Sequence, residues 1–213
     1  MRYIVMCGGS AFKLSTPKPM AEVGGEMLVQ RTIRLLRENG VSDIAISSTD
    51  IRFQSMGVPL LMHDNPKFNS PEYHWLNAFF PAYEPICYIF GDVFFSPQAI
   101  ETIVNTDTDD IEFFASSPPF SKYYKKDWAE PFAFKVVNYK RFFDCIKLAK
   151  HYEESGKFHR DAISWELWQV IKDTPLNVID YHNYTAINDY TVDIDDEWDI
   201  KMLDDLIKEI DNG

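Results

Sequence analysis

The hydrophobic positions of this chain fall into two rhythms. Short, solid apolar runs have the length of strands buried on both faces: "RYIVM" (Arg2–Met6), "DIAIS" (Asp43–Ser47), "VPLLMH" (Val58–His63) and "PICYIF" (Pro85–Phe90). Between them, "EMLVQRTIRLLREN" spaces Met27, Val29, Ile33 and Leu36 near the helical period, and Gly40 follows as a stop. "SPQAIETIV" predicts a second helix, with Ser96 as N-cap and Pro97 at the first helical position. This alternation of strand, loop and helix is the signature of an α/β protein with a parallel sheet and crossover helices.

The second half continues in the same manner. "DIEFFAS" and "PFAFKVVN" (Pro131–Asn138) read as strands, and "YKRFFDCIKLAKHYEES", closed by Gly156, as a helix. "RDAISWELWQVIK" is a further helix, and "NVIDYH" and "YTVDI" read as late strands. In the last helix Ile200, Leu203, Ile207 and Ile210 line one face. No repeat, low-complexity tract or linker interrupts the chain, which predicts one domain over residues 1–213. The most irregular and most basic stretch is "SSPPFSKYYKKDWAEP", with Lys122, Lys125 and Lys126 among aromatics. It suits either a solvated loop or a flap over an anionic substrate.

Charge narrows the function. Twenty-one basic residues against 33 acidic ones give a net charge of −12, which repels nucleic acid over most of the surface. A triphosphate site is still compatible, because one positive loop and a divalent cation suffice to hold it. Cys7, Cys87 and Cys145 show neither metal spacing nor a disulfide framework, as expected of core residues in a reducing compartment. The start of the sequence carries no signal-peptide pattern, and no apolar run reaches the ~18 residues of a membrane span. The expectation is a cytoplasmic protein.

Three stretches can carry chemistry. "CGGSAFKLSTPKPM" (Cys7–Met20) follows the first strand: Gly8 and Gly9 let backbone N–H groups approach phosphate oxygens, and Lys13 and Lys18 bring charge. Neither common phosphate-loop fingerprint is present, so a plain turn fits as well. In "YIFGDVFF", Asp92 sits at the carboxyl end of a central strand, where open α/β sheets bind ligands, and is a hard oxygen donor suited to Mg²⁺. A turn aspartate bonded to its own backbone is the alternative. In "YTVDIDDEWDIKML", Asp193 and Asp195 share one face of a strand, and Asp196 caps the final helix.

The ordered set "IVMCGGS…PKPM…VGGEMLVQRTIRLLRENGVSDIAIS", "YIFGDVFF" and "VDIDDEWDIKML" resembles the nucleotidyltransferases of the sugar-nucleotide and phosphocholine-cytidylyltransferase type. The resemblance implies a three-layer α/β/α, Rossmann-like (GT-A-type) fold around a mixed, mostly parallel sheet. It implies a nucleotide loop of Cys7, Gly8, Gly9, Ser10, Lys13 and Lys18, with Lys18 and Asp92 catalytic. Asp92, Asp193 and Asp195 would hold Mg²⁺. The partners implied are a nucleoside triphosphate, CTP favoured, and a phosphorylated small molecule or sugar phosphate, joined with release of pyrophosphate. Polysaccharide-precursor synthesis is the family's setting, and a homodimer is an open option. Acceptor contacts are expected from the second half, with Lys135, Trp165 and Glu166 as candidates. The loop differs from the family's in having no Arg ahead of Pro-Lys; Lys13 supplies a point charge instead. Two alternatives stand beside this reading: a non-catalytic nucleotide- or sugar-phosphate-binding protein, and a GT-A glycosyltransferase using a nucleotide sugar.

Overall fold

The structure is a computed structural model that describes residues 1–8, 14, 16–63, 65, 74–117, 128–179 and 181–211. β1 (Arg2–Met6) is followed by a 3-10 turn at Lys18–Met20 and a small hairpin of β2 (Glu22–Val23) and β3 (Glu26–Met27). α1 (Leu28–Glu38), β4 (Ile44–Ser48), a 3-10 segment at Ile51–Met56 and β5 (Leu60–Met62) complete the first winding. Another 3-10 turn, Trp75–Ala78, leads to β6 (Ile86–Phe90), β7 (Val93–Phe94) and α2 (Pro97–Asn105). Then come β8 (Ile111–Ala115), β9 (Pro131–Val136), α3 (Tyr139–Glu154) and α4 (Ser164–Lys172). The chain closes with β10 (Thr185–Ala186), β11 (Val192–Asp193) and α5 (Glu197–Asp211).

The main sheet has the order β10-β8-β9-β6-β1-β4-β5, and β9 is the strand that runs antiparallel to its neighbours. The chain winds outward from β1 through β4 to β5, then returns to place β6 on the other side of β1. That reversal opens a crevice at the carboxyl ends of β1 and β6, the usual ligand position in an open α/β sheet. Adjacent residues of β9 show the three layers. Phe134 packs against Phe142 of α3 and Trp168 of α4, whereas the ammonium of Lys135 reaches the end of α2 on the opposite face. The mixed, mostly parallel sheet between two helical layers is the architecture expected from the sequence.

The core is aromatic. Phe113 and Phe134 stack across β8 and β9 with centroids 4.4 Å apart, and Tyr88 stacks on Phe142 at 5.7 Å. A second, smaller core joins Ala21, Val23, Leu28, Phe94, Val192, Ile194 and Leu203, with Ile200 and Ile207 of α5 packed against it. It holds the Lys18 turn, the β7–β11 pair and α5 together. The hairpin in this unit turns at Gly24 and Gly25, whose φ values of 62° and 79° match the two positive-φ positions of a type I′ turn.

Two expectations are corrected at the strand level. Among the described residues "NVIDYH" forms no strand, because its surroundings bond to α4 instead. Gln169 Nε2 donates to the carbonyls of Pro175 and Val178, both at 2.6 Å, and Trp168 Nε1 donates to that of His182 at 3.3 Å. The strand at that edge of the sheet is Thr185–Ala186, parallel to β8. "YTVDI" shortens to Val192–Asp193, antiparallel to β7. The side chain of Ile210 lies outside the described set.

Candidate active site

Four of the sequence-predicted residues converge at the crevice. β6 ends in Gly91, whose N–H donates to the carbonyl of Met6 at 2.9 Å. A Cβ at position 91 would stand 2.6 Å from that oxygen and 2.9 Å from Cys7 Sγ, closer than real contacts allow. Glycine is required here for the ends of β1 and β6 to meet. Asp92 then leaves the sheet beside the start of the nucleotide-loop candidate, and its carbonyl accepts from the N–H of Ile194 at 2.9 Å. The β7–β11 pairing sets Asp193 opposite Val93, so the late acidic pair lies alongside Asp92.

Lys18 enters from the other side. Pro17 and Pro19 flank it, and Pro19 lies within the 3-10 turn; their rings preset the local φ. The turn closes through Met20 N–H to Pro17 O at 2.8 Å and Ala21 N–H to Lys18 O at 2.9 Å. The lysine donates to Asp195 Oδ1 at 2.7 Å and stands 3.8 Å from Asp92 Oδ2. Burial works to lower its pKa, but Asp193, Asp92 and the hydrogen-bonded Asp195 outweigh that and hold the ammonium above the usual lysine range.

Asp193 has the opposite problem. Its Oδ1 is out of contact with solvent. Burial pushes its carboxyl well up; Asp92 adds to the effect, Lys18 opposes it, and Glu130 and Asp195 add further. The neighbouring acids are differently employed. Asp196 Oδ1 accepts from the N–H groups of Trp198 at 3.0 Å and Asp199 at 3.4 Å, which makes Asp196 the N-cap of α5, as expected. Asp199 Oδ2 accepts in return from Asp196 N–H at 3.2 Å and from Asp195 N–H at 2.8 Å. This reciprocal capping fixes the backbone of Asp195 while leaving its carboxylate for Lys18.

The remaining candidates separate. Cys7 is buried, its N–H bonded to Ser47 O and its carbonyl to Ser48 Oγ, both at 2.8 Å. Burial first, and then the charge of Asp92, push its thiol well up, so Cys7 is a packing residue with a backbone role and no reactive sulfur. Gly8 sits beside His63, whose Nε2 is 3.8 Å from where a Cβ of residue 8 would be. Gly9, Ser10 and Lys13 lie outside the described residues, as do Lys122, Lys125 and Lys126.

The acceptor candidates do not join the cluster. Lys135 pairs in register with Cys87, near the beginning of β6, whereas Asp92 follows the end of that strand. Its ammonium donates to the carbonyls of Ile103 (3.2 Å), Val104 (2.9 Å) and Thr106 (2.6 Å), capping the C-terminus of α2. Trp165 is buried among Phe113, Tyr181 and Tyr184, with its Nε1 donating to Ala129 O at 2.8 Å. Glu166 accepts from Arg160 Nε at 2.6 Å and from the N–H of Ile163 at 3.1 Å, closing the first turn of α4. Each has a structural duty that accounts for its burial.

Glu130 is the residue that sequence reasoning missed. It is 5% exposed, lies just ahead of β9, and acts electrostatically on Asp193. Its N–H donates to Ser116 Oγ at 2.8 Å and its Oε1 accepts from Trp128 Nε1 at 2.8 Å. The one available signal was an acid between Ala129 and Pro131 at the mouth of an apolar strand.

The sheet order, its switch point and the lysine among carboxylates there define an α/β protein of nucleotidyltransferase architecture. The chain belongs to the MobA-like NTP transferase domain family, whose profile matches residues 3–121, and it is thereby an enzyme of the nucleotidyltransferase type. Lys18 and Asp92 fall inside that span, and Glu130, Asp193 and Asp195 beyond it. A Bacillus anthracis protein assigned as a glucose-1-phosphate thymidylyltransferase, solved with sucrose, has a similar structure. It is 16% identical, with a TM-score of 0.64, over 100% of this chain and 97% of that one. The inositol-1-phosphate CTP transferase of T. maritima is 18% identical, with a TM-score of 0.55, over 95% of this chain and 94% of that one. These likenesses establish the fold. No curated protein matches the chain. Among the described residues no helix is long and apolar enough to cross a membrane.

Proposed function

We propose that the cluster at the switch point transfers a nucleotidyl group from a nucleoside triphosphate, CTP favoured, to a phosphorylated small molecule or sugar phosphate. The observation that carries this reading is the Lys18–Asp195 ion pair beside Asp92, at the crevice of a chain in this family. CTP is favoured because the "VDIDDEWDI" tail resembles that of cytidylyltransferases, and one structural neighbour is a CTP transferase.

An oxygen of the acceptor phosphate attacks the α-phosphorus. The bond from that phosphorus to the oxygen bridging to the β-phosphate breaks, and pyrophosphate leaves with the electron pair. The acceptor phosphate has a second pKa of about 6, so it is already an anion near neutral pH and needs no general base. Rate then comes from positioning and charge stabilisation. Lys18 is suited to stabilising that charge, because phosphate oxygens compete with Asp195 for an ammonium that stays charged across the working pH range. We assign the nucleotide to the Gly8–Lys18 side of the cluster and the acceptor to the side where Glu130 stands.

The donor set also fits a hard divalent cation. Asp92, Asp193 and Asp195 offer only carboxylate oxygens; burial raises the carboxyl of Asp193, Asp92, Glu130 and Asp195 add to that, and Lys18 opposes it. Among the described residues no three are already spread as a metal cage; Lys18 stands between them. When bound, Mg²⁺ would neutralise charge on the phosphates and orient them for in-line displacement.

Pyrophosphate release measured with each of the four triphosphates, Mg²⁺ and a panel of phosphorylated acceptors tests the proposal. Turnover with CTP and one acceptor class is expected. Thermal stabilisation by triphosphates with no pyrophosphate from any pairing would overturn it.

A further inference from the structure

A cavity of about 550 Å³ opens between α3 and the Trp75–Ala78 turn, away from the lysine–carboxylate cluster. Its volume is that of a small-molecule site rather than a packing defect. Leu76, Phe79, Phe143 and Ile146 form an apolar wall broad enough for a flat ring. The polar groups among the described lining residues are neutral or basic, with no carboxylate among them.

Two polar side chains are set into this wall. Asn65 is 9% exposed; its amide nitrogen donates to His74 O at 3.2 Å, while its Oδ1 is buried with no hydrogen-bond partner among the described residues. A buried acceptor left unmade costs stability, and a donor brought by a ligand would remove that cost. Lys150, on α3, donates to Asn77 Oδ1 and is half-buried. Burial lowers its pKa, opposed by Glu153 and Glu154, which face it from its own helix. Lys147, one turn earlier, stands at the rim in an exposed pair with Asp144. An anion reaching Lys150 would exchange its neutral amide acceptor for a charged one.

We propose that this cavity is a second ligand site, for a small aromatic anion bearing an N–H or O–H donor, with Asn65 as the hydrogen-bond acceptor and Lys150, backed by Lys147, as the charge partner. The site adjoins the nucleotide loop through His63, which lines its edge and lies next to Gly8, but it includes none of the cluster residues. It is independent of the proposed reaction and stands whether or not that reaction is confirmed.

The probe is 8-anilinonaphthalene-1-sulfonate, which carries an aryl body, one N–H and one sulfonate. Fluorescence titration of the native chain should give saturable one-site binding that excess triphosphate does not displace. Lys150→Met and Asn65→Leu should each weaken it about tenfold, the loss of one good polar contact. Ile146→Trp, which fills the cavity, should abolish it, and Lys18→Ala should leave it unchanged. Methyl NMR of the native chain supplies a readout that needs no variant: the probe should shift the methyl signals of Leu76 and Ile146. Absence of saturable binding, equal affinity in Lys150→Met and Ile146→Trp, or shifts confined to the β1–β6 crevice would each overturn the proposal.

Discussion

Two lysines of this chain are largely withdrawn from water, and they differ in what neutralises them. Lys135 gives its ammonium to three backbone carbonyls at the end of α2. Those oxygens belong to the main chain and have nowhere else to go, so the contact is permanent. Lys18 gives its ammonium to side-chain carboxylates carried by two other segments, around residues 92 and 195. Those partners are side chains, and under the proposed function phosphate oxygens would take their place. The first arrangement stabilises a helix end, whereas the second stores a cation at the place where an anion would arrive. Burial of a positive charge therefore says little about function until its partners are known to be exchangeable.

Replacement of each lysine by a neutral residue breaks the comparison most directly. Lys18→Ala should lower turnover about a thousandfold, read as initial pyrophosphate release, with a circular dichroism spectrum like that of the native chain. Full activity in that variant would remove Lys18 from the mechanism. Asp92→Asn should cost about a hundredfold in Mg²⁺-dependent rate. A rate that keeps the native Mg²⁺ dependence would show that Lys18's neighbours serve only the ion pair. Lys135→Met keeps the aliphatic stem but uncaps α2, so it should lose about 1–3 kcal/mol in a denaturant titration. Its kcat should be native below the melting range, and a hundredfold fall in kcat would return Lys135 to the site.

The smallest effect concerns Asp193. A carboxyl whose pKa is raised on folding adds stability that is complete below its unfolded value and is lost as pH climbs through the folded one. Asp193→Asn carries no such loss, so without metal it should melt higher than the native chain at neutral pH. That gap should widen as pH rises above the ordinary carboxyl pKa of about 4. Thermal melts at several pH values give the answer, and a gap that shrinks as pH rises contradicts the assignment.

The fold was legible because burial on both faces writes a strand as a continuous apolar run, and β1, β4 and β6 are such runs. Lys18, Asp92 and Asp195 were legible as an ordered set of short motifs. Lys135 misled because alternation along a strand tells which face a side chain takes but not which end of the sheet it stands at. Register decides that, and the pairing with Cys87 sets Lys135 at the far edge. The hairpin at Gly24–Gly25 had a signal, two glycines between apolar residues, yet it merged with the helix that follows. Glu130 could not be ranked, because its connection to Asp193 runs through space across sixty-odd positions of sequence.

The span of the Lys18–Asp195 pair, 177 positions, bears on how the molecule comes into being. A ribosome adds roughly 5–20 residues per second, and an emerging chain can begin to fold as it appears. All strands of the main sheet precede residue 187, yet the lysine still has no partner at 195 and the small core still lacks Ile194 and Leu203. A nascent chain stalled at that point would hold a nearly complete scaffold whose Lys18 turn has lost most of its packing. The strands of the main sheet are thus all synthesised before the partner of Lys18 at position 195, an order set by the direction of translation.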